Sequence, residues 1–255
     1  MSARPLGGEM TQTVDTASMK QRIATHWGIR AETLDMSDWH VAKSEREDRA
    51  WLRLFKRELP LGTRLRVLDL GTGLGYLAGV AATLGHESYG IDIAPRMIER
   101  ARERASRLGL TIDLRVADCD TLPFPDAYFD AVTERNVIWT MPEPARTLAE
   151  IRRVLKPHGY VLLIESRWLA QATDRPESPA GGGPNMVEHY RDFLDSLPLM
   201  GGPSTSQLTD LLTAQGFGDV EVSRMRGVYE ARVAFKPEMA RPRGRRPYLV
   251  RAVRP

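Results

Sequence analysis

Short apolar runs alternate with amphipathic helical stretches through the middle of the chain. Helical periodicity fills most of the intervals between the runs, and Pro95 stands at the first predicted position of one of these helices. Because parallel strands need crossover connections, the alternation predicts a parallel sheet with helices on both faces. The predicted strands lie at residues 66–70, 88–91, 112–116, 129–133 and 160–164.

A helix at about residues 204–215 precedes two further predicted strands, near residues 220–222 and 248–252. The predicted fold class is therefore α/β, a doubly wound, mostly parallel seven-stranded sheet with helices on both faces. In such sheets ligands bind beyond the carboxyl ends of the strands. Residues that directly follow each strand are thus the first candidates for function.

The regions outside the sheet have patterns of their own. Residues 1–18 lack periodicity and are expected to form a mobile tail. The stretch after the fifth strand is rich in proline and glycine, includes a predicted helix at residues 186–197, and is expected to cover the site as a lid. We predict one domain over residues 19–255. Its parts are a helical cap at 19–60, a cofactor-binding core at 64–166, the lid-like insert at 167–203, and a C-terminal helix with strands at 204–255.

The composition is that of an ordinary globular protein, with 42% apolar and 27% charged residues among 255. No apolar run reaches the length of a membrane span and no export leader is visible, so we expect a cytoplasmic protein without a membrane partner. Cys119 is the single cysteine, which excludes an internal disulfide and a cysteine-type zinc site. We therefore expect no metal.

The charge balance gives no clear sign of a nucleic-acid partner. Lys and Arg number 36 against 33 Asp and Glu, a formal net charge of +3. The one dense basic run, residues 241–246, is interrupted by proline and glycine, and a solvated loop is the favoured interpretation over a phosphate-binding patch.

The first predicted strand ends in a glycine-rich turn with Gly71, Gly73 and Gly75. Glycines there let the backbone adopt positive φ and approach a ligand closely. Their spacing differs from the G-x-G-x-x-G fingerprint of dinucleotide-binding proteins, which makes a nicotinamide-dependent dehydrogenase a distant alternative. Asp92 ends the second strand, 21 residues after Gly71, where a carboxylate can accept both hydroxyls of a ribose. Its other interpretation is an N-cap for the helix that starts at Pro95.

Polar residues also follow the third and fourth predicted strands. The carboxylate of Asp118 can accept a hydrogen bond from an exocyclic amine such as that of adenine. The segment from Glu134 to Thr140 reaches the same edge of the sheet. These positions extend the candidate site across the first four strand ends.

Four segments together resemble the class I S-adenosylmethionine-dependent methyltransferases, in particular the small-molecule branch with the ubiquinone/menaquinone-type and actinobacterial natural-product enzymes. The segments are VLDLGTGLG (67–75), GIDIAPRMIERAR (90–102), ADCDTLPFPDAYFD (117–130) and LKPHGYVLLIE (155–165). The resemblance covers roughly residues 64–166. It implies the Rossmann-like methyltransferase fold, with S-adenosylmethionine as cofactor and S-adenosylhomocysteine as product.

The resemblance also implies roles for individual residues. Asp92 would hold the ribose and Asp118 the adenine amine. Asn136, or the carbonyl of Arg135, would meet the amino-acid end of the cofactor. The complete set of predicted cofactor-binding residues is Trp27, Arg30, Gly71, Thr72, Gly73, Asp92, Ile93, Met97, Asp118, Cys119 and Asn136. Two positions depart from the family pattern, since His158 replaces a usual glycine and Asn136 a frequent histidine.

The acceptor side of the site is less defined by sequence. A general base is needed only if the acceptor atom carries a proton at working pH. Candidates by location are His40, His189 and Tyr190, although a polar surface role is the favoured interpretation of each. Glu165, at the end of the fifth strand, is a candidate for orienting the acceptor. Trp27 and Trp139 have two open interpretations, as core residues or as walls of the pocket.

The function expected from these observations is methyl transfer to an oxygen or nitrogen atom of a small molecule, such as a secondary metabolite in natural-product biosynthesis. Two alternatives stay open: an RNA or protein methyltransferase, or a catalytically silent cofactor-binding protein. The sequence also leaves open whether the chain forms a homodimer.

Overall fold

The computed structural model describes residues 15–33, 42, 44–60, 62–167, 190, 193–237, 240 and 246–255. Seven α-helices and seven strands lie among these residues. The helices are α1 (Thr16–Thr33), α2 (Glu45–Glu58), α3 (Tyr76–Thr83), α4 (Pro95–Arg107), α5 (Pro144–Val154), α6 (Thr205–Ala214) and α7 (Arg226–Phe235). The strands are β1 (Arg66–Leu70), β2 (Glu87–Asp92), β3 (Ile112–Val116), β4 (Phe129–Arg135), β5 (Leu155–Glu165), β6 (Gly218–Arg224) and β7 (Tyr248–Val253).

The strands form one sheet in the order β3-β2-β1-β4-β5-β7-β6. Strands β1 to β5 pair in parallel, whereas β7 runs antiparallel to both β5 and β6. This confirms the predicted fold class. The order of the strands reverses between β1 and β4, which places the ligand-binding crevice of such a sheet at their carboxyl ends.

Both faces of the central strands are buried. Leu68 and Leu70 lie in one core cluster, together with Leu148 and Ile151 of α5. Val67, directly before Leu68, belongs to a second cluster on the other face. Because side chains alternate across a strand, short continuous apolar runs are what a sheet covered on both faces requires.

The predicted cap is helical, as α1 and α2. Helix α1 begins at Thr16, inside the predicted tail, because the Asp15 carboxylate accepts the N–H groups of Ala17 at 3.1 Å and Ser18 at 3.2 Å. Its other end is fastened to α4, where the guanidinium of Arg100 donates to the carbonyl oxygen of Ala31 at 2.7 Å.

Two elements differ clearly from the prediction. Strand β5 starts at Leu155 instead of Tyr160, and Leu155 pairs with Phe129 across an irregularity in the ladder. Helix α5 ends at Val154, and Pro157 lies within β5. Helix α7 was not predicted, because only Val228 and Ala231 are buried along it and the apolar period is weak.

Half of the predicted lid helix at 186–197 falls outside the described residues. Within it the structure describes Tyr190 and a 3₁₀ turn over Leu194–Ser196. The first fourteen residues of the predicted tail also lie outside the described part of the chain.

Candidate functional site

The glycine-rich turn after β1 has the backbone that its sequence predicts. Gly71, Gly73 and Gly75 have φ angles of 54°, 54° and 70°. A Cβ on Gly71 would lie 2.5 Å from Cγ2 of Val137, in the segment after β4. Position 71 therefore needs glycine for two separate reasons, its left-handed backbone and its close approach to a neighbouring strand end.

Asp92 joins this turn to the start of α4. One carboxylate oxygen accepts the N–H of Gly73 at 2.9 Å, and the other accepts the N–H of Ala94 at 2.9 Å. Burial raises the pKa of Asp92 to about 6, and the backbone N–H groups offset part of that rise. The N–H from Ala94 precedes Pro95, so Asp92 does not cap the first turn of α4 in the usual way.

A second buried carboxylate lies under the same turn. Asp69 accepts hydrogen bonds from the hydroxyls of Thr72, at 2.7 Å, and Thr133, at 2.9 Å. Burial raises the pKa of Asp69 to about 6 as well. The backbone N–H of Thr72 donates to Ile91 at 2.8 Å, which ties β1 to β2. The sequence analysis missed Asp69; an acidic residue two positions before the first glycine was the available signal.

The turn after β3 holds two carboxylates that face one cation. The Nζ of Lys20, on α1, lies 2.7 Å from Oδ2 of Asp118 and 2.5 Å from Oδ2 of Asp120. The other oxygen of Asp118 accepts the N–H of Asp120 at 3.0 Å. Between them, Cys119 is buried, and burial together with the charge of Asp92 raises the pKa of its thiol. The ends of β2 and β3 thus bring their carboxylates close together.

The two residues at the end of β4, Arg135 and Asn136, lie in different surroundings. Asn136 is exposed and has a φ of 56°, and its N–H donates to Ile164 of β5 at 2.9 Å. The guanidinium of Arg135 lies 5.3 Å from the ring centres of both Trp51 and Tyr76, on α2 and α3. Burial lowers the pKa of Arg135 to about 10.

Two glutamates are buried at the carboxyl ends of β4 and β5. One oxygen of Glu134 accepts the N–H groups of Val137 at 2.9 Å and Ile138 at 3.3 Å. The other oxygen, and both oxygens of Glu165, have no well-aligned hydrogen-bond partner among the described residues, although the backbone N–H groups of Ser166, Ile138 and Trp139 lie close enough to Glu165 to offset part of the rise in its pKa. Burial raises the pKa of Glu134 to about 8 and that of Glu165 well above its usual value; the charge of Asp69 adds to the rise at Glu134, and the charge of Glu134 adds to the rise at Glu165. The acid pair therefore retains protons that exposed glutamates would have lost.

Aromatic side chains from α1 and from the segment after β5 meet near these strand ends. The indole N–H of Trp27 donates to the hydroxyl of Tyr190 at 3.1 Å. The ring of His26 contacts both of them edge-on, at 5.2 and 5.3 Å between centres. Trp139 and Phe193 lie 6.1 and 5.0 Å from the Tyr190 ring. Tyr190 is fully buried, and the charge of Asp92 contributes to the raised pKa of its hydroxyl, so this aromatic cluster lies beside the second strand end.

The remaining predicted site residues fall into three groups. Ile93 is half-buried against the first core cluster, whereas Met97 is fully buried in the second. Arg30 is buried on α1. His40 and His189 lie outside the described residues.

The described residues contain no group of three or more His, Cys, Asp or Glu that could hold a metal ion. None of the helices that the structure describes combines the length and the apolar character needed to cross a bilayer.

Comparison with known proteins identifies relatives of this core. Residues 68–163 match the family described as the methyltransferase domain. The chain is 38% identical over 196 residues to the ubiquinone/menaquinone biosynthesis C-methyltransferase of Citrifermentans bemidjiense, a match that covers 68% of this chain and 79% of the relative. It is 36% identical over 139 residues to the demethylmenaquinone methyltransferase of Thermus thermophilus, covering 54% of this chain and 58% of the relative.

Another ubiquinone/menaquinone biosynthesis C-methyltransferase, from Bordetella avium, is 39% identical over 119 residues; the match covers 46% of this chain and 45% of the relative. The chain therefore spans less than half the length of that relative.

Solved structures share the fold. The chain superimposes on a phosphoethanolamine N-methyltransferase of Haemonchus contortus, in complex with phosphomonomethylethanolamine and S-adenosylhomocysteine, with a TM-score of 0.65 and 21% identity, covering 96% of this chain and 61% of that one. For the [4+2]-cyclase SpnF the TM-score is 0.60, again at 21% identity, with 100% and 99% covered. At such identities the likeness shows the fold alone, which carries more than one named activity.

Proposed function

Because the chain belongs to the class I S-adenosylmethionine-dependent methyltransferases of the ubiquinone/menaquinone type, we propose that it methylates a small aromatic molecule at a ring carbon. The cofactor supplies a methyl group that is already activated by the sulfonium, so the protein contributes mainly alignment of the two reactants and exclusion of water. The residues that could supply this alignment lie at the carboxyl ends of β1 to β5.

The donor set at the first three strand ends fits an adenosyl group. In our proposal the carboxylate of Asp92 accepts the ribose hydroxyls, and that of Asp118 accepts the adenine amine. Ile93 and the backbone of Cys119 contact the adenine ring. The geometry that supports this assignment is that the two aspartates stand at adjacent strand ends, where the N–H of Ala117 donates to the backbone oxygen of Asp92 at 3.0 Å and the carboxylate of Asp92 accepts the N–H of Gly73 at 2.9 Å.

The methionine end of the cofactor would meet the turn itself. Gly71, Thr72 and Gly73 offer backbone there, and Asn136 stands on the facing strand end in a left-handed conformation. Arg30, Trp27 and Met97 complete the predicted set. Of these, Trp27 donates its indole N–H to Tyr190, and in our proposal its ring lines the acceptor side of the pocket instead of holding the cofactor.

A small acceptor is supported chiefly by one contact, the hydrogen bond from Trp27 to Tyr190. It joins the cap helix α1 to the segment after β5 across the carboxyl edge of the sheet, and Tyr190 is buried there. An edge bridged in this way suits a molecule that can be enclosed between aromatic rings. It suits an extended RNA or protein chain much less well.

A ring carbon as acceptor is supported by the relatives, which are named as C-methyltransferases. Transfer to carbon would form a carbon–carbon bond as the sulfur–methyl bond breaks, and the ring proton would then pass to water; the step is easiest on a ring whose hydroxyl is ionised. The buried, protonated carboxyls of Glu134 and Glu165 lie on this side of the site. Transfer to an oxygen or nitrogen atom of a secondary metabolite, the outcome expected from sequence, remains the alternative.

The acceptor can be tested with methyl-labelled cofactor. We expect purified protein, S-adenosyl-L-[methyl-¹³C]methionine and a reduced 1,4-naphthohydroquinone with a free ring carbon to give a product whose label resonates as an aryl methyl. A methoxy or N-methyl signal would move the acceptor atom to oxygen or nitrogen. Label found only in added RNA or protein would contradict a small-molecule acceptor, and tight cofactor binding without any transfer would favour a silent binding protein.

The cytoplasmic setting, the single-domain division, the lid role of residues 167–203, the link to natural-product biosynthesis and a homodimer all stay predictions.

A further inference from the structure

One face of helix α1 looks onto the candidate cofactor site. Lys20, Ile23 and Trp27 follow one another at intervals of three and four residues, so they share that face. Ile23 is buried in the first core cluster, and Trp27 reaches Tyr190. Lys20 stands at the opposite end of this face, about 10 Å along the helix from Trp27. There Lys20 lies over the turn that follows β3, because it contacts Asp118 and Asp120 of that turn.

Lys20 bridges two carboxylates of that turn instead of one. Its Nζ contacts Oδ2 of both Asp118 and Asp120, at 2.7 and 2.5 Å. The side chain of Asp120 is fully buried and that of Asp118 is 35% exposed. Among the described residues, Lys20 is the cation that pairs with either carboxylate. Removing it would leave two like charges next to each other, one of them buried.

The bridge also fixes the orientation of Asp118. Its Oδ1 accepts the N–H of Asp120, and its Oδ2 is held by Lys20. Asp120 is itself anchored from the other side by the hydroxyl of Thr147, on α5. Each carboxylate oxygen has two lone pairs, so Asp118 can still accept one further donor on each oxygen. Its carboxylate plane is thus set before a ligand arrives.

We propose that Lys20 is a positioning residue for adenine recognition: by clamping Asp118 against Asp120 it presents an ionised, oriented acceptor to the exocyclic amine, and it holds α1 over the adenine in the same contact. The inference rests on the proposed role of Asp118. A preset acceptor costs less conformational entropy on binding than a freely rotating one.

A docking role and a positioning role for Lys20 predict different effects on ligand binding. If Lys20 only docked α1 onto the sheet, its loss would weaken the binding of any nucleoside ligand to the same extent. If it orients Asp118, its loss would specifically reduce the ability to tell an amine from a carbonyl at the purine 6-position. S-inosylhomocysteine carries that carbonyl and is otherwise the same as S-adenosylhomocysteine, so the ratio of the two dissociation constants separates the two roles.

The experiment measures both dissociation constants by titration calorimetry for wild type, Lys20→Met and Lys20→Arg. The matched control is Lys156→Met, because Lys156 also pairs with an aspartate, Asp130 at 2.6 Å, but near the amino ends of the strands. We expect wild type and the control to prefer the adenosyl ligand at least about tenfold. We expect the preference to fall below about threefold in Lys20→Met and to return largely in Lys20→Arg.

Several outcomes would overturn the proposal. An equal loss of affinity for both ligands in Lys20→Met would leave Lys20 with a docking role only. A wild-type protein that binds both ligands equally would remove Asp118 from adenine recognition and the proposal with it. A wild-type protein that binds neither ligand would instead contradict the proposed function.

If Lys20→Met does not fold, two other variants, Asp118→Asn and Lys20→Gln, test the role of Lys20 instead. An amide at position 118 can donate to the inosyl carbonyl, so we expect its preference to shift toward the inosyl ligand. Lys20→Gln, which keeps a polar side chain without the charge, should also lose most of the adenosyl preference. An unchanged preference in Lys20→Gln would contradict the clamp.

Discussion

The two halves of the carboxyl edge satisfy their buried carboxyls in different ways. We call the ends of β1, β2 and β3, with Asp69, Asp92 and Asp118, the donor half, and the ends of β4 and β5, with Glu134 and Glu165, the acceptor half. Every oxygen of the three aspartates has a hydrogen-bonding or ionic partner. In the acceptor half, three of the four glutamate oxygens have no well-aligned partner among the described residues.

The carboxylates of the donor half are therefore already held in position for binding, whereas the charge state of the acceptor-half carboxyls can change. A buried carboxylate without partners is costly, so the pair retains protons and its charge state can respond to what binds beside it. The donor half is held more firmly, because backbone N–H groups and threonine hydroxyls offset part of the burial effect that raises the pKa values of Asp69 and Asp92 to about 6. We therefore expect substitutions in the donor half to change cofactor binding and stability, and those in the acceptor half to change pH dependence and turnover.

The largest effect is expected at the glycine turn. Gly71→Ala places a Cβ on a left-handed backbone, 2.5 Å from Cγ2 of Val137, and should lower the free energy of unfolding by about 3 kcal/mol. Urea unfolding measures the change. Gly28→Ala is the control: a Cβ there meets nothing within 4 Å on helix α1, so we expect a gain of about 0.5–1 kcal/mol. Equal stability of the two variants would contradict this account of the turn.

Next in size is the loss of the ribose acceptor. Asp92→Ala should weaken binding of S-adenosylhomocysteine by about 1–3 kcal/mol, roughly 5- to 150-fold, because the ribose hydroxyls lose a charged partner. Titration calorimetry measures this change in affinity. Asp126→Ala removes a mostly exposed aspartate that pairs with Arg153, and should leave the affinity unchanged. Unaltered affinity in Asp92→Ala would take Asp92 out of the site.

The raised pKa of Glu134, in the acceptor half, should affect how the free energy of unfolding depends on pH. Folding raises the pKa of Glu134 from 4.5 to about 8, so between these values the folded protein holds a proton that the unfolded chain has released. The free energy of unfolding contributed by this group therefore falls as pH rises through that window and is lost above it. Glu134→Gln should make the slope less negative by up to about 1.4 kcal/mol per pH unit.

Glu150→Gln is the matched control for this measurement. The guanidinium of Arg153 lowers the pKa of Glu150, so its contribution is lost only when pH falls below 4.5. The control should therefore keep the wild-type slope above that pH. A Glu134→Gln protein with the wild-type slope between pH 4.5 and 8 would show that the pair does not retain its proton.

The smallest effect concerns the bridge between α1 and Tyr190. Trp27→Phe removes the indole donor and should raise the KM for the acceptor by about fivefold or less, with the affinity for S-adenosylhomocysteine nearly unchanged. Steady-state kinetics with both substrates distinguishes an effect on the KM for the acceptor from an effect on cofactor binding. Trp51→Phe changes the same side chain at a site whose indole nitrogen has no partner among the described residues, and should leave this KM unaltered. A larger change in cofactor affinity than in KM would assign Trp27 to the donor half.

The strand ends that form the donor half could be predicted from the sequence, because their parts are local. The glycine turn and the two acidic strand ends belong to segments in which strand, turn and helix follow directly, and the sheet brings them together by topology alone. Asp69 was missed because one of its two partners, Thr133 of β4, lies 64 residues away in the chain, although the other, Thr72, belongs to the glycine turn itself.

The acceptor half and the cap could not be predicted in the same way. Lys20 lies 98 residues from Asp118, and no local pattern links them. Nothing in the sequence distinguishes Glu134 from an exposed residue; its burial follows from the strand register, which sets it between Leu70 of β1 and Leu163 of β5. The weakly periodic helix α7 forms for a related reason, since Arg232 on it pairs with Glu47 of α2, far away in the chain.

A crystal structure of the protein with S-adenosylhomocysteine tests the central claim most directly. The account predicts ribose hydroxyls within about 3.2 Å of the Asp92 carboxylate and the adenine amine within the same distance of Asp118. It also predicts that the sulfur atom faces the side of the edge closed by Trp27 and Tyr190. A nucleoside bound elsewhere, or a sulfur atom turned away from those rings toward open solvent, would contradict it.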